Sequence, residues 1–381
     1  MKIDLNNRIF GLDLMRTVAI LCVVFSHALW NFPDAEGPLV SIIELMGVMG
    51  VEIFFVLSGF LIGRILFRIY TDKDFLLSEF RYFLVRRWFR TLPNYYLVLV
   101  INILIVLWIG RELPETIGRY FFFLQNASYK MPVFFTESWS LPIEEFAYIL
   151  TPFLLYLLFL LPLKVSRRKL FLWVTLFIIL FFFGTKLIYN EWTSNLSMTM
   201  WNRHLKAVTL YRIDAIAYGI LAAYISLVYT EIWVKNKMIF LRLGIVLFLV
   251  LHAIVPLFNV RIETYPFFWN VLYLPLVSIS IAFLLPWLAG IKEASKTIAI
   301  PITYISLISY SMYLLHYSIV LQLMRHIAPI EEFEFTQRLI YSVAYIVITI
   351  LLSYILFRIY EKPMMDIRDR PFFRRSKKMN Y

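Results

Sequence analysis

The 381 residues are 61% hydrophobic and 18% aromatic with only 16% charged, which excludes a soluble domain with a wet surface and leaves a multi-span membrane protein. Lys and Arg outnumber Asp and Glu by 37 to 25, a formal net charge of +12. Most of that charge sits in short loops between apolar runs, as topology signals do, so it predicts no nucleic-acid partner. The single cysteine, Cys22, excludes an internal disulfide framework and a cysteine-based metal cluster, and no metal is predicted.

At about 20 apolar residues per crossing, the pattern predicts ten spans, near 9–30, 39–62, 94–110, 143–163, 170–189, 209–229, 239–257, 267–289, 301–323 and 336–357. The expected fold is an all-α polytopic membrane helical bundle. An even number of crossings returns the C-terminus to the side of the N-terminus. Of the 37 basic residues, 26 fall on that shared side and seven on the other. The asymmetry predicts that the N- and C-termini are both cytoplasmic. The first run, Ile9 to Trp30, sits where a secretory signal would. Its length, its polar residues and the lack of a small-x-small cleavage site in Asn31–Pro38 mark it as a retained span. The chain divides into a membrane domain, 1–363, and a basic cytoplasmic tail, 364–381, expected to lie against anionic lipid headgroups.

Charge at membrane depth costs about 2.5–3.5 kcal/mol at a helix centre, so each ionisable residue there needs a reason. The first span carries Asp13, Arg16 and His27. Eleven residues at about 100° each bring Arg16 and His27 to within roughly 20° of one another on one face. Arg16 alone could snorkel to an interface; with Asp13 and His27 on its face it points to a shared polar site. The second span holds Gly47, Gly50 and Gly59, which read as close-packing positions. It also holds Glu52 and Ser58, and Glu52 is open to two readings, a structural counter-ion or a site carboxylate paired with Arg16 or a later cation. The connection from Gly63 to Pro93 carries Arg64, Arg68, Lys73, Arg81, Arg86, Arg87 and Arg90 among aromatics, and predicts an amphipathic helix lying in the interface.

The connection from Arg111 to Pro142 ends in Ser138-Trp139-Ser140-Leu141-Pro142. Ser140 is expected to cap the fourth span and Glu144 to gain from its dipole; alternatively Glu144 dips towards His27. Arg212 and Asp214 open the sixth span on different faces and must find partners elsewhere. The ninth contains Ser309, Tyr310, Ser311, Tyr313 and His316, for which core hydrogen bonding is the simplest role. Arg86, Arg87 and Arg90 satisfy the positive-inside rule, and guanidinium forks also match phosphate oxygens. No 20- to 50-residue repeat stands out, which weakens an inverted-repeat transporter.

The ordered set resembles the membrane acyltransferase-3 family of largely bacterial multi-pass O-acyltransferases. The matching elements are Gly11-Leu-Asp13-Leu-Met-Arg16 followed after ten residues by His27, Phe54-Phe-Val-Leu-Ser58-Gly59-Phe, Arg86-Arg87, Trp139-Ser140-Leu141 with Glu144, Arg212-Ile-Asp214-Ala, Ser309-Tyr310-Ser-Met-Tyr313 with His316, and Tyr360-Glu361-Lys-Pro363. They run in order from residue 11 to 363. Glu52 departs from the family, where Asp is commoner, and so does Pro142, where small polar residues are commoner.

The resemblance implies a bacterial inner-membrane enzyme with no permanently bound cofactor. It would move an acyl group, commonly acetyl, from cytoplasmic acetyl-CoA or another acyl-CoA to a hydroxyl of a cell-surface or lipid-linked glycan. Many relatives carry a fused extracytoplasmic hydrolase-like domain; this chain ends without one, so the acceptor is expected to meet the membrane domain directly. In that scheme His27, oriented by Glu144, takes the acceptor proton or carries the acyl group. Arg16, held by Asp13, binds the donor or stabilises the oxyanion, and Arg86, Arg87 and Arg90 receive the CoA phosphates. Glu52, Ser58, Trp139, Ser140, Arg212, Asp214, Tyr313 and His316 support the site. Two other readings stay open, a transporter or flippase of a glycan, and acylation of a small molecule such as a macrolide. The sequence leaves the oligomeric state open.

Overall fold

The computed structural model describes residues 8–193 and 197–368. Lys2 and the part of the expected tail from residue 369 onwards lie outside the described residues. Among those residues nine helices are long and apolar enough to cross a membrane. In chain order the bundle comprises α1 (Phe10–Ala28), α2 (Pro38–Thr71), α3 (Leu77–Trp108), α4 (Ser140–Leu160), α5 (Arg167–Trp192), α6 (Ile213–Val228), α7 (Lys237–Leu257), α8 (Tyr273–Leu288), α9 (Lys296–Leu315) and α10 (Phe335–Leu356). The all-α bundle is as expected, and the predicted sixth span is the short one: α6 has 16 residues, about 24 Å, whereas α8 is extended by a preceding helical turn to a continuous span of 21 residues, Phe268–Leu288.

Local sequence sets several helix starts. Pro38 occupies the first turn of α2, where its missing N–H is an orphan in any case, and Gly37 before it has φ 115°. Glu334 and Gln337 form a reciprocal capping box at the start of α10. Ser166 accepts a hydrogen bond from the Lys169 N–H at the start of α5.

The interfacial helix expected between Gly63 and Pro93 does not exist as a separate element. Arg64 and Arg68 continue α2, Lys73 lies in the turn, and Arg81, Arg86, Arg87 and Arg90 lie on α3, which runs through Pro93 to Trp108. The reason is length. α2 has 34 residues, about 51 Å of helix against a hydrocarbon core of about 30 Å, so the basic segments are overhanging ends of two spanning helices. Proline inside a spanning helix is tolerated because neighbouring groups take up the freed carbonyl.

The bundle is organised around α2, which packs most extensively on α6 and α1, while α1 also packs on α9. Small residues make the α2–α6 contact. Gly59 and Gly63 on α2 form a Gly-x-x-x-Gly ridge facing Gly219 and Ala223 on α6. A methyl group at Gly59 would overlap the Ile216 carbonyl, and one at Gly219 the Val56 carbonyl. On the other face of α2, Gly47 and Gly50 meet Ser26 and Ala19 of α1. Close packing is therefore the role of Gly47, Gly50 and Gly59. Gly219→Ala is expected to destabilise the protein by about 1–3 kcal/mol through overpacking, read as a lowered thermal midpoint in detergent. A midpoint unchanged from the parent would show that the helices separate freely at this crossing.

Two buried ion pairs tie these helices together. Glu52 of α2 accepts from Arg212 at the entrance to α6, and also from the Ser278 hydroxyl of α8 at 3.0 Å. Asp214 of α6 pairs with Lys186 of α5. Glu52 is thus joined to Arg212 and not to Arg16. Arg212 and Asp214 find separate partners, as their two-residue spacing requires.

Candidate active site

Two cavities meet inside the bundle. The first, about 90 Å³, is lined by Arg16 of α1, Ser58 of α2, Arg87 and Arg90 of α3, and Glu144 and Tyr148 of α4, among others. The second, about 780 Å³, is lined by His27 and by residues of the connections before α4, α6 and α8. Val51 and Tyr313 line both, and so form the wall between them. Tyr313 is fixed there: its hydroxyl donates to the Glu137 carbonyl at 2.9 Å and accepts from Ser140 at 2.8 Å. Ser140 therefore does not cap α4. The chain already turns helically through Thr136–Trp139, and no side-chain cap bond is made.

In the arginine cavity, Arg16 donates to Ser306 at 3.1 Å and to Asp13 at 3.4 Å. Asp13 is held more closely by Arg8, at 2.6 and 2.5 Å, and accepts from Ser306 at 2.8 Å. Asp13 and Ser306 jointly brace Arg16, and Arg8 is the nearer partner of the carboxylate. Arg87 lies over the Tyr148 ring, 4.9 Å from its centre. The Tyr148 hydroxyl donates to Glu144 at 3.0 Å and receives Ser58. Arg86 is not among the residues lining this cavity. One residue, about 100°, round the helix from Arg87, it donates instead to the Tyr82 hydroxyl at 2.9 Å.

The structure separates Glu144 from His27. Glu144 lies one turn inside α4 from Ser140, which turns it past Tyr313 into the arginine cavity. The His27 ring lies beyond that wall, and it is the Val23 carbonyl, 2.9 Å from Nδ1, that orients it. A carbonyl can only accept, so Nδ1 carries the proton and, in the neutral ring, Nε2 bears the lone pair. The ring of His316 meets that of His27 edge-on with centres 4.8 Å apart, and the rings of Tyr317 and Trp30 lie 5.0 and 6.0 Å away. His316 has the same tautomer, with Nδ1 2.8 Å from the Tyr313 carbonyl. Its Nε2 is buried without a partner.

The connection before α6 contributes a cation to the histidine cavity. Lys206 extends its ammonium over the Trp139 ring, 5.2 Å from the centre. Three π-helical turns surround this space, Asn202–Lys206, Phe268–Leu272 and His316–Leu321. Each inserts a residue into the helical register and re-aims its side chains, a feature common at functional sites.

The sequence reading missed several of these residues. Lys186 stands within a predicted span and was detectable as an intramembrane charge. Lys206 and Glu137 lie in connections, where nothing in their spacing distinguishes them from loop residues. Tyr148 falls on the face of Glu144, one turn on.

A family profile described as an acyltransferase domain, that of the acyltransferase-3 family, matches residues 9–358. The chain is 36% identical over 160 residues to the "Putative peptidoglycan O-acetyltransferase YrhL" of Bacillus subtilis (strain 168), a segment that covers 38% of this chain and 23% of that protein. It is 29% identical over 157 residues to the peptidoglycan O-acetyltransferase OatA of Listeria monocytogenes serovar 1/2a (strain ATCC BAA-679 / EGD-e), which covers 37% of this chain and 23% of that protein. The matched segment thus spans less than a quarter of each relative. With the family match running from the first helix through the last spanning helix, and with the polar elements of α1, α2, α3, α4 and α9 gathered around two adjoining cavities, this chain belongs to the acyltransferase-3 family.

Proposed function

We propose that the protein is a membrane O-acyltransferase that passes an acyl group, acetyl in the simplest case, from acyl-CoA on the cytoplasmic side to a hydroxyl of a cell-surface or lipid-linked glycan on the other. The bacterial inner membrane is the setting this reading assigns. The observation that carries it is the single wall, Val51 and Tyr313, between a cavity with three guanidinium groups and a cavity with two imidazoles. The names of the two relatives support the reaction class.

In this reading Arg87 and Arg90, with Arg16, bind the phosphates and the polar arm of the donor through charge-assisted hydrogen bonds. Arg16 and His27 are separated by about 16 Å of helix, a length that an extended pantetheine arm spans, so an arm passing between Val51 and Tyr313 brings the thioester to His27. The acceptor hydroxyl attacks the thioester carbon, and His27 Nε2 takes its proton. The new C–O bond forms as the C–S bond breaks, and the proton passes on to the departing CoA sulfur. The products are the acyl ester and free CoA.

The test uses purified protein in detergent with acetyl-CoA and a saccharide acceptor. CoA release that depends on the acceptor, with equimolar ester formation, is the expected result, and Arg87→Met should raise the KM for acetyl-CoA by about 10-fold or more. Movement of the saccharide across reconstituted vesicles with no loss of acyl groups would replace this reading with a transporter.

A further inference from the structure

The histidine cavity contains a cation, Lys206, that rests over the face of Trp139. Lys206 has no carboxylate within ion-pairing distance among the described residues, whereas each of the fully buried basic side chains nearby has one, Arg212 on Glu52 and Lys186 on Asp214. Its position is nevertheless built. Asn126, fully buried, donates from one amide nitrogen to the Trp139 carbonyl and to the Ala207 carbonyl, at 2.8 and 2.5 Å. The Asn126 and Ala127 carbonyls in turn accept from the Thr209 and Leu210 N–H groups, at 2.9 and 3.0 Å. This clamp fixes the end of the π-helical turn beside Trp139, so the Lys206 ammonium is held over the indole, 5.2 Å from its centre, in the wall of the cavity. A half-buried ammonium held in that way and left without a counter-charge is a place for an anion.

The rest of the wall suits a sugar. Trp30, Trp139, Trp269, Tyr273 and Tyr317 all line the space. Their faces can cover the C–H face of a pyranose, while ring hydroxyls keep their hydrogen bonds at the mouth. The volume falls in the range of about 300–1,000 Å³ usual for small-molecule sites. Resting on the acyl-transfer reading, we propose that Lys206 selects acceptor saccharides that carry a negative charge close to the hydroxyl being acylated. A carboxylate of an acidic sugar and the phosphate of a lipid-linked sugar share the required chemistry.

The charged and titratable neighbours support the assignment. Arg212 and Glu52 lie close enough to act on Lys206 and neutralise one another. Of the other groups around the cavity, Glu137 has both oxygens engaged by Ser318, and Arg203 and Glu44 are exposed. Burial among the aromatic rings, and then Arg212, lowers the Lys206 ammonium to about 8. The ammonium is therefore present below that pH and lost as pH rises through it. His27 also faces the cavity, but it acts on every acceptor alike and cancels in a ratio of acceptors.

The experiment measures kcat/KM with acetyl-CoA for three acceptors: a uronic-acid trisaccharide, its carboxyl-reduced neutral counterpart, and that neutral trisaccharide linked to a polyprenyl phosphate. The parent protein should prefer at least one charged acceptor to the neutral one, and the arm that shows the preference identifies carboxylate or phosphate as the source. Lys206→Met keeps the apolar stem and should lower the charged-to-neutral ratio by about 10- to 100-fold through KM. Lys206→Arg should retain the ratio. In the parent the ratio should fall as pH passes about 8, and in Lys206→Arg it should not. Equal rates on charged and neutral acceptors, or equal losses on both in Lys206→Met, would overturn the selection while leaving acyl transfer in place. No transfer to any of the three, with CoA retained as the thioester, would overturn the acyl-transfer reading and the selection with it.

Discussion

His27→Ala is expected to lower acceptor-dependent acyl transfer by about 10²- to 10⁴-fold, the usual contribution of a general base, without unfolding the protein. The ring is only half-buried, and the Val23 carbonyl it engages belongs to the same helix. Its removal therefore leaves no inter-helix bond broken. Tautomer makes the expectation specific: Nδ1 is committed to Val23, so Nε2 is the atom available to the acceptor hydroxyl. His27→Gln preserves a donor to Val23 and supplies no base, so it should be nearly as inactive. Ester formation measured by mass spectrometry, beside a thermal midpoint within a few degrees of the parent, checks both halves. Full activity in either variant would move the base elsewhere in the cavity, with His316 the first candidate from its unpartnered Nε2.

Breaking the Glu52–Arg212 pair should have the largest effect on stability. Both side chains are buried, with 0% and 1% exposure for Arg212 and Glu52, and the pair joins α2 to the entrance of α6. Glu52→Gln leaves a guanidinium with no counter-charge in the bundle interior, where its Nε and Nη1 already have no partner. Removing one member of a buried ion pair costs about 3–5 kcal/mol, so the variant should lose several degrees or fail to accumulate in the membrane. The double variant Glu52→Leu with Arg212→Met removes the stranded charge along with its partner and should recover most of the loss. The thermal midpoints of the single and double variants, followed by fluorescence in detergent, decide the matter. A single variant as stable as the parent would mean that the Phe55 ring, 5.7 Å from the guanidinium, and solvent suffice for Arg212.

Much of the fold was legible because the bilayer leaves the chain little choice. Every spanning backbone group must be satisfied within its own helix, so length and apolarity alone place α1, α4, α5 and α7–α10 close to where they lie. The boundaries failed where charge and span overlap. The arginines between residues 64 and 90 look like an interfacial segment in one dimension, yet they are the overhanging ends of α2 and α3. The ionisable residues of α1 stood out for a similar reason, because charge in an apolar run is costly and needs a cause. Pairing was far less visible. Asp13 and Arg16, one turn apart, were readable from helical spacing, but Glu52 with Arg212 joins residues far apart in sequence, and only packing of α2 against α6 and α8 brings them together.

The amino-acid sequence by itself determined that the chain is a helical membrane bundle and that one face of its first crossing carries an acid, a guanidinium and an imidazole. Tertiary structure decided how those groups are divided. It set Arg16 with Arg87, Arg90 and Glu144 on one side of Tyr313, and His27 with His316 and Lys206 on the other. The physical reason is that helical periodicity fixes only which residues of one helix share a face. Which faces meet across a cavity depends on the small-residue crossings of α2 with α1 and α6, and on the loop that Asn126 pins beside Trp139.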